Sequence, residues 1–264
     1  MNISSFVWNK ARVINRLPGM YLAYKTLMRV MYRDNSTVII RRGPAAGYKW
    51  RNYSCYQPWM SIGIYEPEVS QLIFETLQPG DVFYDVGANA GYYTLIGARA
   101  VGVSGEVIAF DPVPKNAATI DEQIKLNELQ RICKIEEVAL SNKKEVLELS
   151  IPTQNANAHL TNIVAPHIKD QSGEIIQVNC IRLDDYAKQN AWPTFVKIDI
   201  EGAEVQALIG AKGLLESEKA PVLLITAHSS QLEKEVKDIL LQAGYKITDF
   251  PHMIHALPPR MHMV

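Results

Sequence analysis

Residues 195–204 read FVKIDIEGAE, and strand alternation puts Lys197, Asp199 and Glu201 on one side of that segment. Three charges along so apolar a strand are costly unless they point into a polar site. Carboxylates placed this way can bind a cationic group, position an acceptor hydroxyl, or act as a base. A second apolar run, VLLITAHSS at 222–230, brings His228 to the same rim if both runs are neighbouring strands. A histidine at a strand end facing a cleft can serve in proton transfer. A structural alternative stays open, in which Glu201 and Glu204 cap the next helix and Lys197 makes an ion pair. Asp199, Glu201 and His228 also suit a metal in ligand type, but their spacing is not diagnostic and no metal is expected.

A second group of residues follows another apolar run. VFYDVGANAGYYTL at 82–95 has the form of a strand, a glycine turn and the start of a helix. Gly87 lets the backbone turn sharply, and Gly91 is expected to allow close approach at the helix start. A pyrophosphate would want G-x-G-x-x-G, but Asn89 holds the middle position and Tyr92 the third, which counts against a nicotinamide dinucleotide. A cofactor without phosphates fits better, namely S-adenosyl-L-methionine. Asp85 can order its ammonium end, and the helix N-terminus, with Thr94 nearby, can meet its carboxylate. Asp111 ends the next apolar run, where an acid can accept both ribose hydroxyls; its alternative is to cap the following helix ahead of Pro112.

The elements that must position these groups are legible as alternation. Strand-like runs fall at 82–86, 106–110, 134–140, 195–200, 222–227 and 245–250, with helical segments at about 68–77, 91–101, 115–128, 203–216 and 231–243. That pattern predicts an α/β fold, a Rossmann-like parallel sheet covered by helices on both faces. Its ligands bind beyond the carboxyl ends of the strands. VLELSI and IIQVNCI, within 145–181, read as an inserted β-hairpin around a polar loop, 152–174. In that loop Asn155, Asn157 and His159 could read acceptor hydroxyls or be ordinary loop residues. Residues 6–32 show helical spacing broken at Pro18-Gly19, so residues 1–65 read as an N-terminal helical and loop extension or lid before the domain at 66–264.

Composition narrows the class. The chain has 264 residues, 47% of them hydrophobic, enough to bury one substantial core. Cys55, Cys133 and Cys180 are scattered without a CxxC pair, which argues against a disulfide framework or structural zinc and suits a reducing cytoplasm. No signal peptide and no run of about 18 apolar residues is present, so a soluble protein is expected. The net charge of −1 hides an asymmetry: residues 1–60 carry ten Lys and Arg against Asp34 alone, and the remainder carries 17 basic and 27 acidic side chains. The basic segment could rest on an anionic substrate or membrane surface, or be a solvated helix face. The excess is too small, and the motifs too few, for nucleic-acid binding.

Seven segments, in order, carry a family resemblance: GIYEPE (63–68), PGDVFYDVGANAGYYTL (79–95), GEVIAFDPVPKN (105–116), VALSN (138–142), LDDY (183–186), KIDIEGAE (197–204) and GYKI (244–247). Over about residues 63–250 the chain resembles the FkbM-type S-adenosylmethionine-dependent methyltransferases, which are class I enzymes. The resemblance implies that Asp85, Gly87, Asn89 and Thr94 hold the methionine part, with Glu66 close by. Ala88, Gly91 and Tyr93 belong to the same turn. Asp111, followed by Pro112, would take the ribose, and Val138 and Ala139 would flank the adenine. Asp199 and Glu201 would face the transferred methyl group and the acceptor, with His228 as the third catalytic residue. Two departures stand out. Asp111-Pro112 replaces a usual Glu-Pro, and Thr226 replaces a Glu two residues before the histidine, which leaves His228 without its expected carboxylate neighbour. The implied activity is O-methylation of a hydroxyl on a sugar, polyketide or other specialised metabolite, or of a carboxylate on a peptide or small acid. Its partners are then a small-molecule, glycan or peptide acceptor.

Overall fold

Apolar runs of four or five residues form the centre of the molecule and are buried on both faces. The computed structural model describes residues 34–259 apart from 54, 152–158 and 161–173. The helices expected within 6–32, and Asn155 and Asn157 of the polar loop, lie outside the described residues, as does the side chain of His159.

In chain order, β1 (Thr37–Ile39) and β2 (Lys49–Arg51) form an antiparallel pair, followed by α1 (Trp59–Ile62) and α2 (Pro67–Thr76). Next come β3 (Val82–Val86), α3 (Tyr92–Val101), β4 (Glu106–Phe110), α4 (Pro114–Leu126) and β5 (Cys133–Glu136). A smaller set follows: β6 (Ala139–Leu140), β7 (Glu145–Ile151), β8 (His159–Leu160) and β9 (Glu174–Ile181). The chain then makes α5 (Leu183–Ala187), β10 (Phe195–Ile198), α6 (Glu204–Ile209), α7 (Lys212–Leu215), β11 (Val222–Ile225), α8 (Ser230–Gln242), β12 (Lys246–Phe250) and β13 (Met253–Leu257).

The main sheet has the order β12-β13-β11-β10-β3-β4-β5. Its five strands from β11 to β5 pair in parallel. Alternation sends Phe83, Val107, Phe195 and Leu224 into a core under α2, α3 and α4. Tyr84, Ile108, Val196 and Leu223 enter a second core on the opposite face, with Leu214 and Val236. Both faces are thus covered, as a parallel sheet requires.

Three departures from the expected elements have local causes. The run 134–140 divides at Glu137-Val138, because Ala139 and Leu140 pair with β9 instead of continuing β5. The helix expected over 203–216 breaks between α6 and α7 at Gly210, where a Cβ would lie 2.1 Å from the Ser141 carbonyl oxygen. The third departure is an added strand. β13 inserts antiparallel between β11 and β12 through a two-residue turn, with Phe250 opposite Met253 and His252 in the left-handed region at φ 62°. Pro251 suits the first position of a turn, but the left-handed second position holds histidine where glycine or asparagine would announce it, so the reversal was not expected.

The expected hairpin is present as β7 paired with β9, from Glu145↔Cys180 to Ile151↔Glu174. One face of it packs Leu149, Val178 and Cys180 against Val113 and Ala203 beside the main sheet. At the other end of the fold, Ile40, Trp50 and Met60 share the core of Phe83 and Ile120. β2 pairs with β1 along one edge and is secured by side chains at Lys49 and Arg51. The Gln123 amide bonds both Arg51 N and Arg51 O, and Asn127 does the same for Lys49. Among the described residues no helix is long and apolar enough to cross a membrane.

A buried carboxylate ties α5 to α7. Asp184 accepts from Gly213 N at 3.0 Å, Leu214 N at 2.8 Å and Arg182 Nη2 at 3.1 Å. Truncation would strand two backbone donors, each costing roughly 1–3 kcal/mol. Asp184→Ala is therefore expected to lower the unfolding free energy by about 2–4 kcal/mol with an unchanged urea m-value. A loss too small to resolve in urea titration would contradict this cap.

Candidate active site

From β3 the chain proceeds outward to β4 and β5, and it returns on the other side as β10 and β11. The reversal leaves a crevice at the carboxyl ends of β3 and β10, where open α/β sheets take their ligands. A cavity of about 930 Å³, including the solvent at its mouth, occupies that place.

The turn after β3 forms its floor. Gly87 adopts φ 76°, and a Cβ there would stand 1.9 Å from the Asp199 carbonyl oxygen, so β3 and β10 can approach only with glycine between them. Close approach had been expected of Gly91 instead. A Cβ on Gly91 would make ordinary contact with Ile120 at 3.4 Å, and its requirement is the left-handed φ of 82° at the start of α3. Asn89 is also left-handed, at φ 54°, and its backbone N donates to Asp111 Oδ2 at 2.8 Å. The Asn89 Oδ1 atom is buried without a hydrogen-bond partner in a residue that lines the cavity. An orphaned acceptor of that kind calls for a donor from a ligand.

Of the expected cofactor contacts, Gly87, Ala88, Asn89, Tyr93, Asp111, Pro112, Val138 and Ala139 line the cavity. Glu66, Asp85, Gly91 and Thr94 do not. Asp85 lies one layer below, wholly buried, accepting from Thr94 Oγ1 at 2.7 Å and 3.6 Å from Lys197 Nζ. Burial raises its pKa against the pull of Lys197. Glu66 acts through another residue, accepting from Tyr93 Oη at 2.5 Å. Burial, and then the Glu66 charge, hold the Tyr93 phenol well above its usual range. Asp111 accepts three protein donors: Asn89 N, Val113 N at 3.0 Å and Asn116 Nδ2 at 3.1 Å. A carboxylate has roughly four lone-pair sites, which leaves room for about one further donor. Burial nonetheless lifts the Asp111 pKa to about 6.

At the other end of the cavity Asp199 and Glu201 line the wall, and His228, which does not line it, stands against both of them. His228 Nε2 stands 3.2 Å from Glu201 Oε2 and 3.4 Å from Asp199 Oδ1. Its Nδ1 is 2.8 Å from Glu204 Oε1. The expectation that Thr226 leaves His228 without a carboxylate is thereby corrected: Glu204, on the first turn of α6, supplies one across space. Glu204 also accepts from Gly202 N at 3.0 Å, so the capping alternative and the site share this residue. Burial disfavours the imidazolium, yet the Glu204 hydrogen bond and the charges of Glu201 and Asp199 raise the His228 pKa to about 9. At neutral pH this imidazole is charged, a donor rather than a base. Burial lifts Glu201 to about 7.

Lys197, Glu204, Met60, Tyr65 and Asn116 complete the site and carried no assigned role in it from sequence. Lys197 is 2% exposed, 3.8 Å from Asp199 Oδ2, and 5.1 Å from the centroid of the Tyr93 ring. Glu204 follows Glu201 by three residues in EGAE, a helix-start spacing that could have announced it. Asn116 follows Asp111 closely enough for a local hydrogen bond, whereas Met60 and Tyr65 arrive by tertiary packing and left no signal.

Comparison with known proteins fits this arrangement. The methyltransferase FkbM domain matches residues 85–247, well over half of the chain. A search of curated proteins returned no significant match. Among solved structures, the precorrin-6y C5,15-methyltransferase of Geobacter metallireducens aligns at 11% identity over 73% of this chain and 88% of its own, with a TM-score of 0.47. An S-adenosylmethionine-dependent O-methyltransferase of Thermotoga maritima aligns at 14% identity over 72% and 59%, with a TM-score of 0.43. Aeropyrum pernix fibrillarin, crystallised with bound S-adenosyl-L-methionine, aligns at 13% over 68% and 67%, with a TM-score of 0.41. TM-scores below 0.5 carry no weight for the chemistry of the site. The sequence match decides the family: the chain belongs to the FkbM methyltransferases, enzymes that take their methyl group from S-adenosyl-L-methionine.

Proposed function

We propose that this methyltransferase acts on oxygen, methylating a hydroxyl of a sugar, polyketide or other specialised metabolite in the cytoplasm. The observation that carries the reading is the charge at the acceptor end. Asp199 and Glu201 line the cavity there, and the nearest lysine is engaged with Asp85, Gly87 O and Asp199. The cations beside them, Lys197 and His228, are already paired with carboxylates of the protein, so a hydroxyl would meet groups able to accept its proton, whereas a carboxylate acceptor would find no free cation among the described residues that line the cavity.

The cofactor supplies a methyl group on a sulfonium. Asn89 Oδ1 offers the unpaired acceptor for its ammonium, Asp111 an acceptor for a ribose hydroxyl, and Pro112, Val138 and Ala139 apolar walls for the adenine. Tyr65 and Tyr93 also line the cavity. With the methyl donor bound, a carboxylate oxygen of Asp199 or Glu201 would accept the proton of the acceptor hydroxyl. Alignment is the larger contribution, about 7–11 kcal/mol where it is good, with proton transfer adding roughly 10²–10⁴-fold.

S-adenosylhomocysteine is expected to raise the melting temperature in a concentration-dependent manner, with no shift from NAD. Transfer of labelled methyl is expected to hydroxyl-bearing glycans or polyketides; transfer confined to carboxylates would overturn the oxygen class proposed. A pH dependence follows from Asp111. Its pKa stands near 6 against an ordinary 3.8, so the ionised form costs folding stability above pH 6, and that cost fades as the pH falls. Cofactor binding has the opposite sign, since hydroxyl donors favour the carboxylate. Affinity for S-adenosylhomocysteine, measured by calorimetry, should be flat above about pH 7 and fall up to tenfold per unit below about pH 6. Asp111→Asn should flatten that profile; an unchanged profile would exclude Asp111 as its source.

A further inference from the structure

The geometry points to a divalent-cation site formed by Asp199, Glu201 and His228 at the acceptor end of the cavity, with its open positions taken by the oxygens of the acceptor. The inference rests on the reading of this end as the acceptor site and adds to it a cation and a substrate class. One ligand atom from each of the three side chains lies within 4.8 Å of the others. The separations around His228 Nε2, 3.2 and 3.4 Å, are close to what a small cation imposes. Bonds of about 2.1 Å at octahedral or tetrahedral angles put neighbouring donors roughly 3.0–3.4 Å apart.

Two further observations are independent of those distances. The first is the far side of the ring. Glu204, wholly buried, holds His228 Nδ1, which leaves Nε2 facing the two carboxylates, where a cation would displace the proton that the imidazolium carries on Nε2. Metal-binding histidines are fixed in this manner by a carboxylate behind them. The second is charge. Among the described residues, Asp85, Asp199, Glu201 and Glu204 are opposed by Lys197 and the imidazole, and Glu204 Oε2 is buried without any hydrogen-bond partner. Carboxylates in excess inside a protein call for a cation. The three ligand side chains are 30%, 20% and 16% exposed, so an ion can enter.

Two carboxylates and one imidazole suit Mn²⁺, Mg²⁺ or Zn²⁺ over softer metals. Three protein ligands leave an octahedral ion open positions on one side. Acceptors with two adjacent oxygens, such as a vicinal diol or a hydroxy-ketone, would fill two of them, and the cation would make the bound hydroxyl more acidic.

Titration of the full chain with Mn²⁺, followed by the loss of the free-ion EPR signal, tests the site. One Mn²⁺ per chain is expected. Asp199→Asn and His228→Gln should each weaken binding more than tenfold, and Glu204→Gln by roughly 10–100-fold through the orientation of the ring. The shift in melting temperature with S-adenosylhomocysteine, recorded on the same samples, establishes that each variant is folded. Failure to bind millimolar Mn²⁺, or binding that survives in the folded Asp199→Asn/His228→Gln variant, overturns the site. Methyl transfer to hydroxyls that persists in EDTA, with no Mn²⁺ bound, overturns the cation while leaving the oxygen chemistry standing. Mn²⁺ bound by these residues in a protein that methylates carboxylates alone keeps the cation and overturns the proposed acceptor.

Discussion

Lys197 carries an ammonium into the centre of the main sheet, where almost no water reaches it, and its placement constrains everything around it. A buried cation costs several kcal/mol unless its partners are close and fixed. Asp85 opposes it from β3, the Gly87 carbonyl accepts from it at 3.4 Å, and Asp199 approaches from its own strand end. The pairing Lys197↔Asp85 is also a register pair between β10 and β3. A slip of one residue between these strands would bury an unpaired charge, so the ion pair and the strand register enforce each other. The glycine turn follows from the same contact, since Gly87 is where the two chains come closest.

Around that pair the site is built in layers. Asp85 and Thr94 lie below the cavity floor, the turn at 87–89 forms the floor itself, and Asp199 with Glu201 stands at its open end. Groups in the lowest layer need not touch a ligand to matter. Thr94 orients Asp85, Asp85 holds Lys197, and Lys197 in turn sits over the Tyr93 ring beside Asp199. Glu204 repeats the arrangement for His228: a fully buried carboxylate on a helix start sets the direction of a ring that a strand end delivers.

The parts of this design that were legible in the sequence are those that depend on local pattern. β3 and β4 match the expected runs to the residue, because four consecutive buried positions in each, mostly apolar, admit few alternatives. Lys197, Asp199 and Glu201 were conspicuous because charges interrupt such a run. The parts that were not legible depend on residues distant in the chain. The pairing of Glu204 with His228 spans 24 residues, two helices and one strand, and the Asp184 cap reaches 30 residues onward to Leu214. The division of 134–140 between two sheets was hidden for a similar reason, since only the partner strand decides which sheet a residue joins. Gly87 and Gly91 were identified correctly as special positions, but which of them was required by space and which by backbone angle needed the neighbouring strand to be visible.

The N-terminal portion has a consequence for how the cavity opens. Met60 and Tyr65 line it, yet residues just before them, Ile40 and Trp50, belong to the same core as Phe83 beneath the floor. Two amide side chains on α4 then fasten Lys49 and Arg51 by both their backbone groups. This wall is therefore no free flap. To swing it aside would break those four hydrogen bonds and open the core that Ile40 and Trp50 share with Phe83. A ligand in the cavity therefore meets, on the side of Met60 and Tyr65, a wall whose backbone is paired by amide side chains where a neighbouring strand would otherwise stand.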